Sequence, residues 1–87
     1  MRIISQGGHT DLPYEEIALC INCDDIIATH NNKEHLMARY STIDKAKKAM
    51  EMLHITYKGN KVEEVYQEGT NYYHPTFQFP ADEDVKV

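Results

Sequence analysis

With 87 residues, 14 acidic and 9 basic side chains and a net charge of −5, the chain has room for one small domain. It lacks the positive surface needed to track duplex DNA or RNA. No run approaches a membrane span and "MRIISQGGHT" lacks the apolar stretch of a signal peptide, so a cytosolic protein is expected.

"RIIS" (Arg2 to Ser5) reads as a short β-branched strand, and Gly7 and Gly8 read as the turn after it. "EIALCIN" (Glu16 to Asn22) and "DIIATH" (Asp25 to His30) are two further strands joined by the tight "CDD" bend. "HNNKE" supplies the next hairpin turn, because asparagine tolerates the left-handed backbone that such turns need. "HLMARY" (His35 to Tyr40) returns as a strand. Strict alternation puts Leu36, Ala38 and Tyr40 on the core face and His35, Met37 and Arg39 on the other. The pair Cys20 and Cys23 in "CINC" lacks a second ligand pair, and the five histidines show no zinc spacing, so no metal is expected and Cys20 reads as a small core residue.

"STIDKAKKAMEMLHITYKGN" is a helix, with Ser41 as N-cap, Asp44 three residues on, and Gly59 with Asn60 as its stop. Ile43, Ala46, Ala49, Met50, Leu53 and Tyr57 form its buried stripe, and the lysines at 45, 47 and 48 read as a solvated face. "KVEEVYQEGTNYY" fits one or two helical turns, or a strand and a bend. "PTFQFP" alternates as a last strand, with Phe77 and Phe79 on one face, and its bracketing prolines, Pro75 and Pro80, suit an edge position. From about residue 81 the acidic "ADEDVKV" reads as a mobile tail, although "VKV" could add a last pairing. The predicted fold is α+β: a single domain over residues 1–87, with a small antiparallel sheet and one main helix packed on one face.

No GxSxG, P-loop or HExxH motif is present, and the acidic residues fall in adjacent pairs that suit solubility better than acid and base work. An enzyme is therefore not expected, and neither is a cofactor. The stretches "MRIISQGGHTDLPYE", "MARYSTIDKAKKAMEML" and "TFQFPADEDVKV" together resemble small phage and prophage proteins of Gram-positive hosts, in particular the Thoeris anti-defence protein 1 family. The shared patterns are a first strand ending in "ISQ", a "D-x-PYE" turn, a "YST-x-x-KA" helix start and an "FQFP" finish, and they cover about half of the chain in the right order. The resemblance implies a homo-oligomeric sponge in the host bacterial cytoplasm. It would hold a cyclic ADP-ribose isomer or a cyclic oligonucleotide, and so blunt an immune signal without cleaving it.

Such a ligand needs an aromatic face for its base and charge-assisted donors for its phosphates. Tyr57, Tyr72, Tyr73 and Phe77 are the candidate platforms; Arg39, Asn71, His74 and Thr76 are the candidate polar contacts. Each has a plainer reading: Phe77 and Tyr57 as core, Arg39 as the partner of Glu15 or Glu34, Asn71 as a turn residue, Thr76 as a strand former and His74 as an exposed strand end. The alternative function is an acidic protein-interaction module that docks on a host defence protein such as a nuclease, motivated by "CDD" and "ADED".

Overall fold

Ile3 organises the first sheet. The structure, a computed structural model, describes the backbone of residues 1–66 and 76–87 and the side chains of those residues outside 59–66. In it β1 (Arg2–Ile4) lies between β2 (Asp11–Pro13), which it pairs antiparallel, and β6 (Thr76–Gln78), which it pairs parallel. Ile3 stands opposite Leu12 on one side and Phe77 on the other, and all three are buried. The last strand is an edge, as its bracketing prolines predict. Phe79 follows Phe77 into the core, their rings meeting edge to face at 5.3 Å.

The second sheet runs β3 (Ala18–Asn22), β4 (Asp25–His30) and β5 (Lys33–Arg39) as an antiparallel meander. Positive φ at Cys23, Asn31 and Asn32 makes its two tight turns, the asparagines serving as predicted. The α+β class therefore holds, with two three-stranded sheets in place of the single expected one.

Three strand residues, Leu36, Met37 and Cys20, depart from their expected faces. Ile26 pairs with Ala38 but Ile27 pairs with Leu36, so Met37 is the extra residue of a β-bulge. Met37 and Ala38 both turn inward and are buried, whereas Leu36, expected in the core, is 49% exposed. The Met37 carbonyl, displaced from the ladder, accepts the backbone N–H of Gln6 at 2.7 Å, which ties the two sheets together. Cys20, also expected in the core, is exposed, because Leu19 and Ile21 take the inward positions on β3.

α1 (Ile43–Tyr66) covers the inner face. Ala46, Ala49 and Leu53 are fully buried, and the small alanines, with Ala28 on β4, let the helix lie close to that strand. The N-cap is Thr42, not Ser41: its hydroxyl accepts the Lys45 N–H at 3.2 Å, and Ile43, expected in the stripe, is exposed in the first turn. Gly59 and Asn60 do not end the helix. A helical glycine costs only about 1 kcal/mol, and the Lys and Glu that follow are good helix formers. No helix among the described residues is long and apolar enough to cross a membrane.

The acidic end is packed where a loose tail was expected. Residues Asp82–Asp84 form a 3-10 turn and Val85 is buried. The Asp82 carboxylate accepts the Ser41 N–H at 2.7 Å and meets the Lys45 ammonium at 3.3 Å. Tyr40 donates its hydroxyl to the Pro80 carbonyl at 2.9 Å, and burial, with the charge of Asp82, pushes its pKa up to about 12.

The bulge sets the relative cost of two neighbouring truncations. Met37→Ala should destabilise by about 2–5 kcal/mol in urea unfolding, and Leu36→Ala by less than about 1 kcal/mol; a strand in strict alternation would reverse that order. The Ser41 N–H, then the Ser41 side chain and Lys45, hold the Asp82 carboxyl below its ordinary 3.8. Its contribution is therefore full above the ordinary value and lost as pH falls through the lowered one. Thermal melts from about pH 7 to about pH 2 should show Asp82→Asn with a shallower acid limb than the parent chain.

Candidate functional site

Between α1 and the outer strand β3 lies an open groove. One part, of 510 Å³, has Ile21, Met50 and Ile55 as its apolar floor, with Lys47, His54 and Lys58 along the helix. Seven- and eleven-residue spacings place those three cationic or titratable side chains on one helical face. A second part, of 450 Å³, shares Met50 and His54 and continues to Tyr14, Glu15, Ile17 and Leu19. Tyr14 gets there because its backbone N–H bonds the Met1 carbonyl and a 3-10 turn at Tyr14–Glu16 swings the chain from β2 toward β3.

At this end Tyr57 packs on Tyr14 with ring centroids 4.5 Å apart and planes tilted by 44°. Burial raises the Tyr14 pKa, and the neighbouring Tyr57 and Glu15 raise it further, so its hydroxyl is a proton donor at neutral pH. Two carboxylates line the groove: Glu51 reaches Lys48 at 3.5 Å, and Glu15 holds the Met1 ammonium at 2.9 Å. Lys47 and Lys58 have no ion-pair partner among the described residues. The groove thus offers two ammonium groups unpaired among the described residues, an imidazole, a phenol, two already-paired carboxylates and an apolar floor. That combination suits an anion with a flat apolar part.

The predicted contact residues that are described, Tyr57, Phe77, Thr76 and Arg39, lie apart from one another. Tyr57 does not line the groove itself but packs on Tyr14, which does; Phe77 lies in the core against Phe79. Thr76 is exposed on β6 opposite Arg2, at the other end of β1 from Gln6. Arg39 is bound there, its backbone N–H donating to the Gln6 side-chain oxygen at 3.0 Å. The Arg39 guanidinium, 69% exposed, pairs with Asp25 at 2.9 Å and 3.4 Å, in place of the expected Glu15 or Glu34. Hydrogen bonding from that guanidinium lowers the Asp25 pKa, and the carboxylate raises that of Arg39. Asn71, Tyr72, Tyr73 and His74 lie outside the described residues.

Sequence reasoning missed Tyr14, Lys47, His54 and Lys58 as a group. The helical spacing of the last three was a usable signal; the approach of Tyr14 was not. Among the described residues no three His, Cys, Asp or Glu side chains stand together in a way that could hold a metal. No known family model, curated protein or solved structure matches this chain.

Proposed function

We propose that the protein binds and holds a small cyclic nucleotide, of the cyclic ADP-ribose or cyclic oligonucleotide class, and sequesters it as a bacterial immune signal without turning it over. The observation that carries this reading is the pair of lysines, Lys47 and Lys58, without an ion-pair partner among the described residues and beside an apolar floor, in a chain that is acidic overall. The family resemblance of the first, middle and last stretches supports the same ligand class. The lysines neutralise phosphate charge, and Tyr14, backed by Tyr57, offers aromatic surface to a base, a contact worth roughly 1–3 kcal/mol where stacking forms. Tyr57 is thus the member of the predicted set on which the reading relies.

The acidic end gives less to a protein-docking reading than its composition suggests. Asp82 is already held by Ser41 and Lys45.

Titration calorimetry against cyclic ADP-ribose isomers and cyclic di- and trinucleotides tests the proposal, with chromatography of the ligand released by denaturation. Binding of at least one, with the ligand recovered intact, is expected. Losing two charge-assisted contacts, Lys47→Ala with Lys58→Ala should weaken that binding by about tenfold or more. Arg39→Ala, remote from the groove, should leave it unchanged. Absence of binding across the panel, conversion of the ligand, or a double lysine variant that binds like the parent chain would each refute the reading.

A further inference from the structure

Charge alternates along the helix side of the groove. Lys47, Glu51 and Lys58 line the same part of it, and the helical rise sets the Glu51 backbone about 6 Å beyond that of Lys47 and about 10 Å before that of Lys58. His54 falls in the second gap, one turn before Lys58. The order is cation, carboxylate, imidazole, cation. The ion pair of Glu51 runs to Lys48 at 3.5 Å and not to Lys47, and with the two side chains 42% and 59% exposed it leaves most of the negative charge in place. Glu15, in the adjoining part of the groove, is taken up by the Met1 ammonium.

A negative charge between two positive ones sorts anions by where their own charge lies. A pyrophosphate carries its charge on adjacent phosphorus atoms joined by one oxygen. Placed at either lysine it leaves the other unanswered, and placed between them it meets the Glu51 carboxylate, a like-charge contact. Phosphodiesters on opposite sides of a nucleotide macrocycle divide the same charge between two places. One then reaches Lys47 and the other reaches Lys58 and the His54 imidazole, the flexible lysine stems closing the distance. The ribose between them passes Glu51, whose carboxylate accepts a hydroxyl hydrogen bond.

We infer that the groove selects a cyclic oligonucleotide with separated phosphodiesters over a cyclic nucleotide closed by a pyrophosphate, and that Glu51 is the residue that sets this preference, an inference that rests on the nucleotide reading of the same site. Glu51 acts by exclusion. It weakens the anion whose charge is concentrated and spares the one whose charge is divided, so specificity comes from a repulsive group placed among attractive ones.

Titration calorimetry of the whole chain compares cyclic di-AMP with cyclic ADP-ribose isomers closed between ribose oxygens, which carry an unmodified adenine and the same number of phosphate charges. Cyclic di-AMP should bind more tightly by about tenfold or more. Lys47→Ala and Lys58→Ala should each weaken its binding by about threefold or more. Glu51→Gln, isosteric and at an exposed position, should bring the two dissociation constants closer by about threefold or more, with an unchanged circular dichroism spectrum. Glu34→Gln, which removes the same charge from the exposed start of β5, should leave their ratio as it is. A pyrophosphate-closed isomer that binds as tightly as cyclic di-AMP, or a Glu51→Gln chain with the parent ratio, would overturn this inference while the nucleotide reading stands. Absence of binding by either compound would overturn the inference outright, and the wider nucleotide panel then decides the reading by itself.

Discussion

Gln6 holds the two sheets together, and few side chains could replace it. Its backbone N–H donates to the Met37 carbonyl at 2.7 Å, its side-chain oxygen accepts the Arg39 N–H at 3.0 Å, and its side-chain nitrogen donates to the Pro80 carbonyl at 3.1 Å. Donor and acceptor must lie on one side chain of this length. Glutamate could accept but not donate, and asparagine is one methylene shorter. The bulge on β5 depends on this arrangement. A displaced carbonyl that found no donor would lose about 1–3 kcal/mol, and Gln6 supplies the donor. Met37 turns inward as a result, and the C-terminal segment is drawn onto the junction through Pro80, where Tyr40 bonds the same carbonyl.

That dependence explains which parts of the fold could be read in advance. Asn31 and Asn32 announce their turn because the left-handed backbone is a local demand. The prolines beside β6 announce an edge because a missing N–H is local too. The bulge at Met37 is not local: it rests on a glutamine more than thirty residues away, and nothing in "HLMARY" alone signals it. Cys20 misleads for another reason. "IALCIN" is apolar on both faces, so its periodicity cannot say which alternate residues turn inward, and packing against α1 decides in favour of Leu19 and Ile21. The acidic end misleads through composition, since one carboxylate, Asp82, finds two donors at the start of the helix.

The site divides in the same way. Lys47, His54 and Lys58 share a helix face that can be counted off the sequence, but their meaning comes from what lies opposite. Tyr14 reaches the groove only because β2 and β3 belong to different sheets and the chain must cross between them beside α1. Arg39 shows the converse. It is on an exposed face as expected, and yet its guanidinium is engaged, because the turn that ends β3 returns Asp25 beside it.

Charge pairing then narrows what the groove can hold. Arg2, Arg39, Lys45 and Lys48 are each held by a carboxylate, whereas among the described residues Lys47 and Lys58 are not. Eleven residues of helix set the backbones of those two lysines about 16 Å apart, beyond the Debye length of about 8–10 Å, so their mutual repulsion is largely screened. A single inorganic phosphate at either end satisfies one ammonium and leaves the other as it was. Under the proposed function, an anion several times larger, with its apolar part over Ile21 and Met50 and its charge distributed along the helix, would engage both lysines together. The separation of the two cations, more than their number, is what favours a nucleotide over a simple ion in the proposed function.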